Sequence, residues 1–346
     1  MTEKKSSMNK RISVIIPNYN GSSTIGRCLE AAFSSEYDNF EAIVTDDCST
    51  DNSTEIIKKF PCKLISLDRH SGASKARNTG AENSGGDIFF FIDADCLLQR
   101  DTLSKVNRAF NELSPLHPRL GRGGQGGVVI GGTYTPIPYD NGFFSVFQSI
   151  FINYSETKKV PPDYTPTHAM VIARDIFMKS GGFQENFLPI LEDVEFSHRL
   201  RRTGFKLTVN PEILVRHIFN FTLIKSLENA FRKSMYWTIY AIKNNDLLTD
   251  SGTASYELKI NVASFFLNTI FIMLFFYFKN TGFLISILLI YAVNLVVSRG
   301  LIKAFYKAKG LSFVISATLY YTLIYHLPVG AGAISGIVKY IRNNKR

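Results

Sequence analysis

The chain has 346 residues, is 45% hydrophobic with 28 phenylalanines, and carries a formal net charge of +10. That length admits about two domains of ordinary size with a substantial core. Its lysines and arginines are scattered until they bracket apolar segments near the C-terminus, which speaks against a nucleic-acid binder and for a membrane surface.

The opening MTEKKSSMNKR is polar, and the run Ile12 to Ile16 is far too short for a signal sequence, so the bulk of the chain is expected on the cytoplasmic side. From there strands and helices alternate. Strands are expected at Ile12 to Ile16, Phe40 to Thr45, Cys62 to Leu67 and Ile88 to Ile92. Helices are expected at Thr24 to Phe33, Thr54 to Phe60 and Ala73 to Glu82. This alternation predicts an α/β, doubly wound sheet. The rhythm breaks at Leu113 to Gly127, rich in Pro, Gly and Arg, which is expected to be a mobile loop beside a site. The four cysteines, Cys28, Cys48, Cys62 and Cys96, form no CxxC, so neither a zinc site nor a disulfide framework is expected.

The stretch GDIFFFIDAD carries the first chemical signal. Ile88 to Ile92 reads as a buried parallel strand, and Asp93 and Asp95 follow it, where open α/β sheets bind ligands. Two carboxylates at i and i+2 of an extended segment can face one ion, and a hard cation such as Mg²⁺ or Mn²⁺ shares its shell between carboxylates and substrate phosphates. A solvated turn after a strand is the plain alternative. After the first strand come Pro17, Asn18, Tyr19 and Asn20, where Tyr19 offers a flat face for a base. After the second come Asp46 and Asp47, able to accept from a base N–H or a ribose hydroxyl. Capping in DDCSTDNST accounts for Ser49 or Asp51 and leaves Asp47 without an obvious structural job. Arg77 could compensate phosphate or carboxylate charge, or serve as a structural ion pair.

VIIPNYN, VTDDCSTDNS, GASKARNTG, GDIFFFIDAD, GGFQE and LEDVEFSHRL, in that order between Arg11 and His217, resemble family-two glycosyltransferases of the GT-A fold. The resemblance implies that Tyr19 and Asp47 hold the base and ribose, that Asp95 binds a divalent metal on the diphosphate, and that Asp93 lies nearer the ribose or sugar. Pro17 and Arg77 are grouped with this nucleotide-sugar site. It implies a nucleotide-sugar donor, with a UDP-sugar favoured by family habit, and Mn²⁺ or Mg²⁺ as cofactor.

The second half begins with a strand at Val128 to Tyr134, a helix at Phe143 to Tyr154, and a strand at His168 to Ala173. Glu192 and Asp193 open the helix EDVEFSHRLRRTG, where a helix N-terminus favours acids, and one of them is available for proton transfer. Helix capping is the plain alternative. By resemblance the ED pair supplies the catalytic base, Asp193 in the family's usual position, which implies a single displacement with inversion. His217 is implied near the diphosphate or metal, and His168 is a weaker candidate on the acceptor side. No QxxRW follows, which implies addition of one sugar rather than processive synthesis.

From Ile218 the composition changes. Phe221 to Lys243 reads as an amphipathic helix at a membrane interface, or as one packed on the catalytic domain. Ile260 to Phe278 and Thr281 to Ser298 are uncharged and of spanning length. The expected organisation is a catalytic domain over 1–217, an interfacial region over 218–259 and a membrane domain over 260–346, with spans near 260–278, 281–298 and 311–338. Arg299, Lys303, Lys307 and Lys309 follow the second span and place that loop and the catalytic domain in the cytoplasm. The last uncharged stretch, Gly310 to Val338, would reach roughly 43 Å as a helix, against a hydrocarbon core of about 30 Å. One tilted span is one reading. A re-entrant or hairpin arrangement, broken at Pro328 with Gly330, Gly332 and Gly336, is the other.

A sugar transferase with spans is expected to use a lipid-linked acceptor. Asn20-Gly21 stands where enzymes charging polyprenyl phosphate usually have Asn-Glu, which favours a lipid-linked saccharide over polyprenyl phosphate itself. A catalytically silent membrane-anchored scaffold is the reading from another class, and a transporter is disfavoured because only His326 is ionisable within the spans.

Overall fold

The structure is a computed structural model and describes residues 9–113 and 127–343. The loop expected at Leu113 to Gly127 therefore lies, for residues 114–126, outside the described residues. The chain forms two compact units. The first comprises 1–139 and 156–219, the second 140–155 and 220–346.

The first unit is built on an eight-stranded mixed sheet of order β3-β2-β1-β4-β7-β6-β8-β5. Strands β1 (Ile12–Asn18), β2 (Phe40–Asp46), β3 (Lys63–Ser66) and β4 (Ile88–Phe91) run parallel, joined by α1 (Ile25–Phe33), α2 (Ser53–Ile57) and α3 (Ala73–Glu82). This is the doubly wound half that the alternation predicts. Beyond β4 the sheet turns antiparallel through β7 (Met170–Ala173), reached by a 3₁₀ turn at Thr167–Ala169, and continues with β6 (Val128–Tyr134) and β8 (Lys206–His217). Two elements are absent from the sequence reading. A three-residue strand β5 (Cys96–Leu98) follows directly on Asp95, and α4 (Thr102–Leu113) follows it. β8 runs on to His217, and its far end pairs with β5, Cys96 opposite His217.

β4 is the spine of this unit, paired on both sides and buried on both faces. Phe89 and Phe91 point to one face, where they meet Phe177 of α6 (Arg174–Lys179), Phe183 and Phe196 of α7 (Glu192–Arg202). α3 lies close on β1 and β2 because Gly80 leaves room: a Cβ there would stand 2.7 Å from Ile15 Cγ2 and 3.1 Å from Thr45 Oγ1.

In the second unit α5 (Phe143–Thr157) contributes Phe147 and Phe151, whose rings pack on Phe305, Tyr320 and Tyr325. The sequence was read as one continuous catalytic domain to residue 217, yet residues 140–155 belong with the C-terminal helices, because this aromatic face finds its partners there. α8 (Leu223–Asn244) is followed by α9 (Tyr256–Phe278) and α10 (Gly282–Val297). α11 (Arg299–Tyr320) is interrupted at Gly310, whose φ of 77° is a left-handed conformation that glycine reaches without strain. A π-helical turn at Tyr321–Tyr325 then leads into α12 (His326–Asn343). Two stretches, Tyr256–Phe278 and Arg299–Asn343, are long and apolar enough to cross a membrane, and Gly282–Val297 is shorter.

Of the two readings of the last uncharged stretch, the one with a break at Pro328 and the nearby glycines is not seen. The backbone stays helical from Leu311 to Asn343. Pro328 lacks an N–H and crowds the carbonyl four residues back, and the π-turn ends just before it, widening the helix where that clash would fall. Gly332 and Gly336 are contact points. A Cβ at Gly332 would strike the Phe231 carbonyl oxygen, and one at Gly336 would lie 2.6 Å from that of Met235. Small residues four apart thus seat α12 against α8, in the manner of close-packed membrane helices.

Gly80→Ala is expected to destabilise the first unit by about 1–3 kcal/mol through overpacking. Denaturant unfolding of full-length protein and variant measures it, and an unchanged midpoint would show that α3 does not need its close approach.

Candidate active site

The site lies where β1, β2 and β4 end. Asn18 is buried, and its Nδ2 donates to Asp46 Oδ1 at 2.8 Å. Asp46 also accepts from the backbone N–H and the hydroxyl of Ser49, at 2.9 and 2.6 Å, so it holds the second loop. Asp47 is buried and does have a structural partner set, which corrects the expectation of an idle carboxylate. It accepts from the backbone N–H groups of Ser71 and Gly72, both at 2.7 Å, and its Oδ2 lies 2.9 Å from His70 Nδ1. Those amides precede α3, so an acid from another strand caps that helix. Tyr19 is about half exposed, and one face of its ring rests on His70 at 4.0 Å between centroids. Pro17 lies within β1, opposite Thr45.

Asp93 and Asp95 meet different first partners. The strand ends at Phe91, and the chain turns, with the Cys96 N–H donating to Asp93 O at 3.0 Å, so the extended-segment geometry does not apply. Asp93 Oδ1 accepts from Arg77 Nη2 at 2.6 Å. Asp95 Oδ1 instead lies 3.3 Å from His217 Nε2, a meeting produced by the pairing of β5 with β8.

Arg77 is the centre of the acidic cluster. Its side chain is 4% exposed, and its Nη1 donates to Glu192 Oε1, also at 2.6 Å. α7 delivers Glu192 because Phe196, one turn later on the same face, is buried against Phe183 and Phe177. Leu191, at φ 77°, turns the chain into that helix from the left-handed region, a conformation uncommon for a leucine. Asn78, beside Arg77, exchanges hydrogen bonds with the N–H and carbonyl of Phe183, and Arg199 donates to the Ser180 and Gly182 carbonyls. The GGF turn is thereby tied to both α3 and α7.

The four acids differ in charge environment. Burial alone would raise the Asp93 carboxyl, but the charge and hydrogen bond of Arg77, with His168 and His217 nearby, bring it below its ordinary value. Asp193 goes the other way. Burial, and then the negative charge of Glu192, push it up to about 7, and Arg77 offsets this only in part. Its hydrogen bond comes from the adjacent Val194 N–H at 2.8 Å.

A second cluster surrounds His217. Its ring stacks on Phe219 at 3.9 Å and meets the edge of Tyr134 at 4.8 Å, while His168 stacks on the Tyr134 ring at 3.9 Å. His168 Nε2 lies 3.4 Å from Glu156, which accepts from Thr133 at 2.7 Å. Asp95, Cys96 and His217 have ligand atoms within 4.8 Å of one another. Cys96 is buried and its thiol is pushed far above its usual range, by burial first and then by Asp95 and Asp93, so it stays a neutral thiol and a poor ligand. The carboxylate of Asp95 and the imidazole of His217 remain, a donor pair that fits a divalent ion keeping positions for phosphate oxygens.

Sequence reasoning missed His70, Asn18, Tyr134 and Glu156. His70 lies in an irregular loop, DRHSG, that carries no motif. Tyr134 and Glu156 become relevant only through the register of β6 and the burial of Glu156.

Residues 13–174 match the family model for Glycosyl transferase family 2. Over 349 residues, 95% of this chain and 97% of the relative, the sequence is 24% identical to a dolichyl N-acetyl-alpha-D-glucosaminyl phosphate 3-beta-D-2,3-diacetamido-2,3-dideoxy-beta-D-glucuronosyltransferase of Methanococcus voltae. It is 29% identical over 218 residues to glycosyltransferase AglE of Haloferax volcanii, a match that covers 60% of this chain and 66% of AglE, just under two thirds of its length. Among solved structures, the mannosyltransferase PcManGT of Pyrobaculum calidifontis, in complex with GDP-Man and Mn²⁺, superposes with a TM-score of 0.56. That superposition covers 96% of this chain and 88% of PcManGT at 17% identity, and it shows a shared GT-A-type fold.

Two outcomes follow from the charge pattern. Arg77→Met leaves two carboxylates around a buried apolar group and is expected to destabilise by about 3–5 kcal/mol, whereas Arg77→Lys should lose less, as read by thermal or denaturant unfolding. For Asp193, an ordinary carboxyl near 3.8 in the unfolded chain and near 7 when folded means that the proton stabilises the fold at low pH and that this contribution is lost as pH rises through 7. The melting temperature of Asp193→Asn should therefore exceed that of the parent by more at pH 8 than at pH 4.5. A difference independent of pH would contradict the raised carboxyl.

Proposed function

We propose that this protein transfers one sugar from a nucleotide-sugar donor to a lipid-linked saccharide at a membrane, with inversion at the anomeric carbon. The observation that supports this reading above all is the unequal charge of the four acids. Arg77 offsets Asp93 and Glu192, Asp95 is matched to His217, and Asp193 is left with a proton affinity near neutrality. A base poised near 7 is suited to taking a proton from a hydroxyl and releasing it again.

In the proposed reaction Tyr19 and the loop fixed by Asp47 hold the base and ribose, with Pro17 shaping that loop. Arg77 and Asp93 orient the sugar side of the donor. The Asp193 carboxylate takes the acceptor hydroxyl proton, the oxygen bonds to the anomeric carbon, and the bond to the nucleotide diphosphate breaks with its electron pair on the leaving oxygen. Glu192 holds Arg77 in place and keeps Asp193 basic. A divalent ion, Mn²⁺ or Mg²⁺, held by Asp95 and His217 would supply charge neutralisation for the departing diphosphate.

The lipid acceptor is supported by the two stretches of spanning length and by the full-length similarity to a transferase named for a dolichyl phosphate-linked substrate. We read the protein as a multi-pass membrane enzyme whose catalytic unit is cytoplasmic, on the bias of Arg299, Lys303, Lys307 and Lys309. The interfacial region 218–259 and the membrane domain 260–346 are part of this proposal. A UDP-sugar is the proposed donor, and the GDP-Man bound to PcManGT makes guanosine donors a necessary comparison.

The deciding assay is nucleotide diphosphate release by full-length protein with Mn²⁺ or Mg²⁺, across UDP- and GDP-sugars, with native lipid extract, with polyprenyl phosphate, or with no lipid. Release should need lipid and metal. Asp193→Asn should lower it by about 10²–10⁴-fold while donor binding persists. The logarithm of the rate should climb with unit slope up to about pH 7 and then level off. Asp95→Ala should abolish metal-dependent nucleotide binding. Activity on plain polyprenyl phosphate would replace the saccharide acceptor, and no binding of any donor would make the protein a silent scaffold.

A further inference from the structure

The second unit contains a cavity of about 330 Å³ that none of the catalytic residues touches. Most of its walls come from three helices, with Gln148 and Phe151 of α5 and Tyr325 of the π-turn adding to them. α12 supplies Val329, Ala333 and Ile337, four residues apart and so on one ridge, and α9 supplies Leu258 and Val262 in the same way. α8 supplies Trp237, Thr238 and Ala241. The connection between α8 and α9 closes the rest with Leu247, Leu248 and Thr249. The glycine contacts that draw α12 onto α8 fix two of these walls, so the space is part of a tightly seated helix pair.

The lining is largely apolar, with Gln148, Ser234, Thr238, Thr249, Ser251 and Thr253 as its uncharged polar residues. Lys233 of α8 and Lys259 of α9 both line the cavity, against the single carboxylate of Asp246. Lys259 Nζ donates to the Thr249 carbonyl and lies 5.8 Å from the Tyr256 ring centroid, which holds that ammonium group at the start of the first long apolar helix. An apolar cavity with a net positive rim is complementary to an apolar chain ending in an anion. Its volume is at the low end of the roughly 300–1,000 Å³ of small-molecule sites, enough for the portion of a chain nearest its headgroup rather than for a whole long lipid.

We propose that this cavity binds the headgroup-proximal segment of an isoprenoid chain, with the lipid phosphate held by Lys233 and Lys259. The inference deepens the lipid-acceptor reading and rests on it for the identity of the lipid.

Trp237 is the chain's one tryptophan and it lines the cavity, so its emission reports occupancy directly. Full-length protein in a non-aromatic detergent would be titrated with farnesyl phosphate, farnesol and inorganic phosphate. Farnesyl phosphate should give a saturable change in Trp237 emission, farnesol one with about tenfold weaker affinity for want of the charged contact, and inorganic phosphate none. Ala333→Phe should remove the response, while unchanged helicity by circular dichroism and an unchanged melting transition show the variant folded. Lys259→Gln, which leaves the cavity volume in place, should bring farnesyl phosphate toward the affinity of farnesol. No saturable response to either lipid, a response to inorganic phosphate alone, or a response that survives Ala333→Phe would overturn the site. Lipid-dependent sugar transfer that is unaffected by Ala333→Phe would overturn the cavity and leave the lipid acceptor standing. Saturable binding with transfer indifferent to lipid would do the reverse.

Discussion

One buried guanidinium organises the first unit. Arg77 is 16 residues from Asp93 and 115 from Glu192, and it holds both at 2.6 Å. Burying an arginine or a carboxylate in an apolar interior is costly unless its charge is met, and here Nη1 and Nη2 each meet an acid while Nε is buried with no hydrogen-bond partner among the described residues. α3, the loop after β4 and the start of α7 are therefore each incomplete without the others. The planar fork suits this task, because two ends of one cation address two acids at once. Asp193, the neighbour of Glu192 on the same helix turn, is pushed the other way, first by burial and then by the negative charge of Glu192, with Arg77 and the Val194 N–H opposing this only in part.

The acids were legible in the sequence, but their pairing was not. Asp93, Asp95, Glu192 and Asp193 stand at strand ends and a helix start, positions that local pattern exposes. Arg77 was visible only as a cation of undecided purpose, since nothing in GASKARN says which of several carboxylates it meets. The even spacing of Asp93 and Asp95 misled, because it assumes an extended chain where the backbone turns. Asp47 misled in the opposite direction. Its hydrogen bonds go to amides some 25 residues away, whereas capping rules look only at near neighbours. β5 escaped because three residues, Cys96 to Leu98, carry too little periodicity to read, and yet their pairing with β8 is what places His217 beside Asp95.

The C-terminal half shows a different limit. Hydropathy marks apolar segments well, but it does not distinguish a glycine that bends a helix from one that lets a neighbour approach. At Gly310 the backbone itself leaves the helical region, and the glycine is a break. At Gly332 and Gly336 the backbone is helical and the missing side chain is the space filled by α8. Residues 140–155 illustrate the same point for aromatic residues. Their place in sequence suggested the catalytic domain, while the rings of Phe147 and Phe151 are satisfied only by Phe305, Tyr320, Tyr321 and Tyr325.

The two ends of the first-unit site are built on different principles, and this bears on how each tolerates change. In the Arg77 cluster a guanidinium only 4% exposed joins two acids at 2.6 Å, so its members are mutually dependent. The Asp95–His217 pair is more open, with the Asp95 side chain 39% exposed and the His217 ring held by stacking on Phe219 and contact with Tyr134 rather than by a second hydrogen bond. Its Nδ1 is buried with no hydrogen-bond partner among the described residues. A ring fixed by apolar contacts keeps its position while its nitrogens exchange partners, which suits a ligand to an ion that arrives and leaves with the nucleotide. On the proposed reading, fixed charge beside the base and adjustable coordination beside the leaving diphosphate suit a displacement, because the attacking oxygen must be aimed while the leaving group must be let go.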